Sequence, residues 1–172
     1  SGAPLHFRGP IAAGHGTLTL AGTGVGGTGA LVNVTGVNNQ WTGNIAINGA
    51  ATTINAGADY AQTMILGTAS PTASRPFGAP PTDTNTLDLG SNTLTLTSTG
   101  TTQLRINSRI IGTGNLIVDL NNVNSVVRLP SNYNTYTGST TVENGTLRVR
   151  TTYNSYPNDQ TAARENYFGI NG

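Results

Sequence analysis

Asn39-Gln40-Trp41-Thr42-Gly43-Asn44-Ile45-Ala46-Ile47 and Asn134-Thr135-Tyr136-Thr137-Gly138-Ser139-Thr140-Thr141-Val142 spell nearly the same unit, 95 residues apart. In each, an Asn opens, an aromatic ring follows two residues later, Thr-Gly closes a turn, and an alternating run begins. The register extends without a gap, with Val32 and Val34 over Val127 and Leu129, and Thr52 and Ile54 over Leu147 and Val149. After a slip of three residues, Gly14-His15-Gly16-Thr17-Leu18-Thr19-Leu20 lies over Gly112-Thr113-Gly114-Asn115-Leu116-Ile117-Val118. Self-similarity built from short strand-like units is the signature of a solenoid.

Short runs of period two support strands: Thr17-Leu18-Thr19-Leu20, Ile45-Ala46-Ile47, Leu94-Thr95-Leu96, Leu116-Ile117-Val118-Asp119-Leu120 and Leu147-Arg148-Val149. Each sends its aliphatic residues one way and Thr, Asp or Arg the other. Asn48-Gly49, Gly90-Ser91-Asn92, Gly112-Thr113-Gly114 and Asn144-Gly145 supply turns between them. Two assemblies compete. In a sandwich or barrel, Asn48-Gly49 and Asn144-Gly145 would close antiparallel hairpins; in a β-helix, each strand pairs in parallel with its equivalent one coil later. Repetition of the whole unit favours an all-β parallel β-helix. Its predicted interior holds Leu18, Leu20, Ile45, Ile47, Leu94, Leu96, Leu116, Val118, Val142, Leu147 and Val149.

The reading is one solenoid over residues 1–172, with repeat copies at about 11–54 and 109–149. Coils of roughly 20 to 25 residues would give seven or eight turns and a rod of about 35 to 40 Å. Residues 67–86 hold Pro71, Pro76, Pro80 and Pro81, half of all prolines, and read as a loop thrown out from the rod. Residues 151–172 form a polar tail studded with aromatics.

Composition narrows the function. The chain has 23 Gly, 29 Thr and 20 Asn among 172 residues, no Lys, and a net charge of +1. So little charge argues against nucleic acid as a partner. With no cysteine, neither a disulfide framework nor a thiolate metal site is available. No apolar stretch is long enough to insert in a membrane. The opening Ser1-Gly2-Ala3-Pro4 lacks the basic and apolar regions of a secretion signal, so an exported protein would be represented by a mature or excised piece.

The segment Asn134 to Val149, Asn-Thr-Tyr-Thr-Gly-Ser-Thr-Thr-Val-Glu-Asn-Gly-Thr-Leu-Arg-Val, resembles the autotransporter-associated β-strand repeat, also called the passenger-associated transport repeat. Gly112-Thr113-Gly114-Asn115-Leu116 is similar to that family's Gly-x-Gly-x-Leu opening, and Leu87 to Leu96 to its strands between repeats. The first copy departs from the pattern, with Trp41 in place of Tyr and Ala50-Ala51-Thr52 in place of Gly-Thr-Leu. The resemblance covers roughly half of the chain. It implies a right-handed β-helix of an exported bacterial surface protein, with no active site.

Candidate sites are few. His6 and His15 give no metal-ligand spacing. The seven acids are scattered; Asp88 and Asp119, both outward on their strands, are the pair that coil register could bring together for polysaccharide cleavage. Asn39, Trp41 and Gly43, with Asn134, Tyr136 and Gly138, read as packing at repeat corners, although a Trp or Tyr face could instead stack on a sugar. Asn33-Val34-Thr35 and Asn144-Gly145-Thr146 match the glycosylation sequon, a short motif that chance supplies in such a chain. Arg105, Arg128 and Arg148 read as outer decoration that keeps the faces from sticking.

The expected function is therefore a structural rod or spacer, extracellular or on a bacterial surface, not an enzyme and needing no cofactor. Its expected partners are copies of itself or adjacent repeats of a longer chain. A carbohydrate-binding adhesin or tail-fibre segment, with a surface glycan as partner, is the alternative. Neither end reads as a cap, so Tyr153, Tyr156, Tyr167 and Phe168 are expected to meet Leu5 and Phe7 of a neighbouring unit.

Overall fold

In Thr93-Leu94-Thr95-Leu96-Thr97-Ser98 the period of two sends both Leu to one side. In the computed structural model of the chain, Leu94 and Leu96 are fully buried while the three Thr stay half-exposed. The structure describes residues 3–9, 12–14, 16–34, 38–57, 63–68, 85–131, 134–150 and 165–170, the last of these as backbone.

Strands recur in threes. The first coil holds β1 (Leu5–Phe7), β2 (Ala12–Ala13) and β3 (Thr17–Leu20), and the second holds β4 (Leu31–Asn33), β5 (Asn39–Trp41) and β6 (Asn44–Ile47). The third holds β7 (Ala51–Asn55), β8 (Thr63–Leu66) and β9 (Thr86–Asp88), and the fourth β10 (Thr93–Ser98), β11 (Gln103–Ile106) and β12 (Arg109–Ile111). β13 (Asn115–Leu120) and β14 (Val126–Leu129) follow, then β15 (Thr140–Arg150), which supplies two faces of the sixth coil, and β16 (Glu165–Ile170). Every strand from β1 to β15 pairs in parallel with its equivalent one coil away. The result is a three-sided parallel β-helix. Its first face is β1-β4-β7-β10-β13 and the start of β15, its second β2-β5-β8-β11-β14 and the end of β15, and its third β3-β6-β9-β12. On the third face of the fifth coil, residues 135–137 run along β12, with Thr135 N donating to Ile110 O (2.9 Å) and Thr137 N to Gly112 O (3.0 Å).

Stacked in register, like residues form columns. Leu31, Ile54, Leu96, Val118 and Val142 line the first face, and Met64, Leu104, Val127 and Leu147 the second. On the third face the column is Leu18, Ile45, Leu87 and Ile110. All eleven residues predicted inside belong to this core, with Leu18, Val142 and Val149 half-buried at its margin. Asn48-Gly49 and Asn144-Gly145 are corners between faces, not hairpin turns. Within β15 the register skips Glu143, and Gly145, at φ 86°, turns the chain from first face to second over Leu120.

The 95-residue repeat does not return to the same face. Ile47 lies on the third face and its counterpart Val142 on the first; Val32 lies on the first and Val127 on the second. The repeat therefore advances three coils and one face. Any face is an alternating strand followed by a Gly or Asn corner, so the three faces are interchangeable as sequence.

Away from one corner, register partners one coil apart are separated by 20 to 28 residues, as with Val126 and Thr146 or Ala12 and Gln40, but Thr52 and Leu94 lie 42 apart. The excess sits at one corner. The second coil passes from second face to third through Thr42-Gly43, and the fourth through Asn107-Ser108. In the third, Leu66 and Gly67 follow the register of Trp41 and Thr42, and Asn85 and Thr86 that of Gly43 and Asn44, so 68–84 is a 17-residue insertion. The prolines of the predicted loop lie outside the described residues. Both stems are tied down: Gln40 Nε2 donates to Gly67 O (2.9 Å), Asn107 Nδ2 to Thr68 O (2.6 Å), Thr86 N to Asn44 Oδ1 (2.9 Å), and Asn85 Nδ2 to Thr42 O. The insertion and the residues after Arg150 account for the coil number: five coils and two faces of a sixth, about 25 to 30 Å at roughly 4.8 Å per coil, fewer than the seven or eight expected. Deleting residues 68–84 to join Gly67 to Asn85 should leave the rod folded, with stability changed by about 1 kcal/mol or less. Urea denaturation checks this, and loss of the cooperative transition would refute the register.

Candidate functional site

At the repeat corners the six predicted residues do structural work. Trp41 ends β5, packs against the core, stacks on Phe7 with ring centroids 6.4 Å apart, and donates from Nε1 to Asn44 O (3.2 Å). Tyr136 is also half-buried against the core, its hydroxyl bonded to Thr140 Oγ1. Buried Asn39 donates from Nδ2 to Asn33 Oδ1 (2.6 Å), and Asn134 Oδ1 accepts from Ile110 N (2.9 Å), satisfying groups the strand ladder leaves over. Gly43 and Gly138 each face a backbone carbonyl of the coil before, Gly16 O and Gly114 O, where a Cβ would collide.

Asp88 and Asp119 are kept apart. Asp88 lies on the third face and accepts from Gly90 N (2.8 Å), while Asp119 lies on the first and accepts from Asn144 Nδ2 (3.0 Å). Register therefore does not unite them, which corrects the pairing read from their outward positions. Among the described residues, no three His, Cys, Asp or Glu side chains group as metal ligands, and no helix is long and apolar enough to cross a membrane. His6 is exposed on β1 beside Arg8, 3.3 Å from Nδ1 to the guanidinium, and His15 lies outside the described residues.

The two ends differ. Among the described residues, β1, β2 and β3 each have a partner on one side only, leaving an open edge on every face of the first coil. At the other end β16 pairs antiparallel with Gly145–Arg150 on the second face, while the first and third faces have no further strand among the described residues. Two expectations change. Phe7 is buried in the core, because β1 turns it inward over Trp41, and only Leu5 is exposed. The strand carrying Tyr167 and Phe168 pairs with the chain's own last coil rather than standing ready for a neighbour, because β15 offers it a free edge. Tyr153 and Tyr156 lie outside the described residues.

One grouping escapes a linear reading. Arg105, Arg128 and Arg148 are in register on β11, β14 and β15, stacked at roughly 4.8 Å on the outward side of the second face. All three are half-buried, and each engages another group of the chain. At surface dielectric, neighbouring like charges so placed repel by roughly 3 kcal/mol per pair before solvent and partners relax it. The signal was present as aliphatic-Arg-aliphatic triplets, Leu104-Arg105-Ile106, Val127-Arg128-Leu129 and Leu147-Arg148-Val149, separated by about one coil. The stronger 95-residue register hides it by shifting the comparison one face.

Compared with family models, with characterised proteins and with solved structures, the chain matches none.

Proposed function

We propose that this chain is a structural β-solenoid module, a rod or spacer of an exported bacterial surface protein or extracellular fibre, that stacks end to end. The resemblance of residues 134–149 to the autotransporter-associated repeat supports export and a surface location. The separation of Asp88 and Asp119 onto different faces supports a role without catalysis.

The open first coil carries the stacking reading. A parallel edge with unpaired amides is a template for another strand, and the occupant is a second copy or a preceding coil of a longer polypeptide. The ends also complement each other. β16 adds a strand to the second face at one end, and at the other end that face begins with β2, only two residues long. A neighbour's β1 and β3 would then continue the first and third faces, where no strand among the described residues covers the last coil.

The edge can be tested without breaking the coil. Leu5 N donates to Ala30 O (2.8 Å) and Phe7 O accepts from Val34 N (3.0 Å), so strand alternation points the His6 amide away from β4. His6→Pro removes that outward donor and spares the bonds inward. Light scattering across a concentration range should show the parent chain growing into longer rods and His6→Pro remaining monomeric. A parent chain that stays monomeric at high concentration would contradict homotypic stacking.

A further inference from the structure

We propose that Asn48-Gly49, at the corner between β6 and β7, is a site of spontaneous self-modification, where the chain converts Asn48 to aspartate and isoaspartate without an enzyme. This goes beyond the spacer reading and does not depend on it. The Gly49 amide nitrogen attacks Asn48 Cγ; a C–N bond forms, the bond from Cγ to Nδ2 breaks, and ammonia leaves with the proton from the Gly49 nitrogen. Water then opens the cyclic imide, giving aspartate where the new bond is cleaved and isoaspartate where the original peptide bond is cleaved. The rate of such an intramolecular attack depends on whether the two groups are free to meet, and a glycine, lacking Cβ, crowds the attacking nitrogen least.

The chain has three Asn-Gly pairs, at 48–49, 144–145 and 171–172, and the last lies outside the described residues. The fold separates the other two. Asn48 is exposed, and both residues of its pair lie between strands. Among the described residues, no hydrogen bond engages the Asn48 side chain or the Gly49 nitrogen. The backbone around them is fixed: Asn48 N donates to Leu20 O (2.8 Å), Thr52 Oγ1 to Gly49 O (3.3 Å) and Asn92 Nδ2 to Ile47 O (2.8 Å). Isoaspartate adds a backbone atom inside this pinned corner. Asn144 is also exposed, but its Nδ2, the leaving group, donates to Asp119 Oδ1 (3.0 Å). Negative charge developing at its Cγ during attack would lie beside that carboxylate. Its pair also sits inside β15, with Asn144 in register with Asp119 of β13 and Gly145 with Ile170 of β16, so the backbone is held from both sides.

The test is incubation of the whole chain at mildly alkaline pH, folded and in concentrated urea, followed by peptide mapping with mass spectrometry and by labelling with an isoaspartate-specific methyltransferase. In the folded chain Asn48 should convert about tenfold or more faster than Asn144. In urea the two should convert at similar rates, because each is then a bare Asn-Gly pair. Asn48→Gln should remove the fast methylation signal of the folded chain. Asp119→Ala, which frees Asn144 Nδ2, should speed Asn144 severalfold and leave Asn48 unchanged; Asp119→Ser replaces it if circular dichroism shows that the variant does not fold. An unchanged Asn144 in that variant overturns the protection assigned to Asp119. The proposal as a whole is overturned if the folded chain converts Asn144 as fast as Asn48, if Asn48 stays intact while the chain in urea converts it, or if Asn48→Gln leaves the fast signal in place.

Discussion

Leu96→Ala should cost about 3 to 5 kcal/mol and divide the rod into two unfolding units. Leu96 is fully buried at the middle of the stack, between Ile54 in the coil before and Val118 in the coil after. Truncation removes the transfer free energy of the lost atoms and leaves a cavity that cannot close, because the backbone on either side is held at strand spacing by two parallel ladders. In a solenoid each coil contacts only its neighbours, so the loss falls on the two interfaces that the fourth coil makes with the third and the fifth. Against a total of about 5 to 15 kcal/mol for a domain of ordinary stability, the fourth coil would couple the two halves only weakly. Urea denaturation followed by circular dichroism should show a lower midpoint and a broadened or two-step transition. Thr95→Ala, half-exposed beside it, should move the midpoint little. A sharp single transition with an unchanged midpoint in Leu96→Ala would contradict a continuous core through this position.

Gly114→Ala should destabilise by about 3 kcal/mol or more, for a different reason. At the corner between third and first faces, three coils approach backbone to backbone. A Cβ on Gly114 would run into Asn92 O, and one on Gly138 into Gly114 O. Gly114 has no left-handed φ, so the cost is steric and not conformational. The displaced atom matters as well: Asn92 O accepts from Asn115 N (3.0 Å), the bond that opens β13 on β10. Gly26→Ala is the comparison, since Gly26 has φ 64° but nothing within 4 Å of an added Cβ. Its cost is the left-handed conformation alone, about 1 to 2 kcal/mol. Thermal and urea denaturation of both variants separates the two terms. Equal losses would mean that coil contact at Gly114 is looser than the geometry requires.

These two positions show where local and global information divide. The alternation of Leu94 and Leu96 with Thr was sufficient to place both inside, because a strand has only two sides and Thr can face water. The repeated Asn-x-aromatic-Thr-Gly unit, with the shortage of helix formers, was likewise sufficient for a solenoid with parallel pairing. Coil assignment was not legible, since equivalent faces let a 95-residue repeat land one face away from its copy, and a 17-residue insertion between Gly67 and Asn85 disturbs any count along the chain. Phe7 and Leu5 are two residues apart on one short strand, and only the stacking of Phe7 on Trp41 of the next coil decides which is buried. Asp88 and Asp119 look equivalent in sequence yet fall on different faces, while Arg105, Arg128 and Arg148, scattered over 44 residues, fall into one column. Periodicity thus determined which residues point inward and that the coils stack. Which outward residues become neighbours depends on coil length and corner geometry, fixed by contacts between coils that no local pattern encodes.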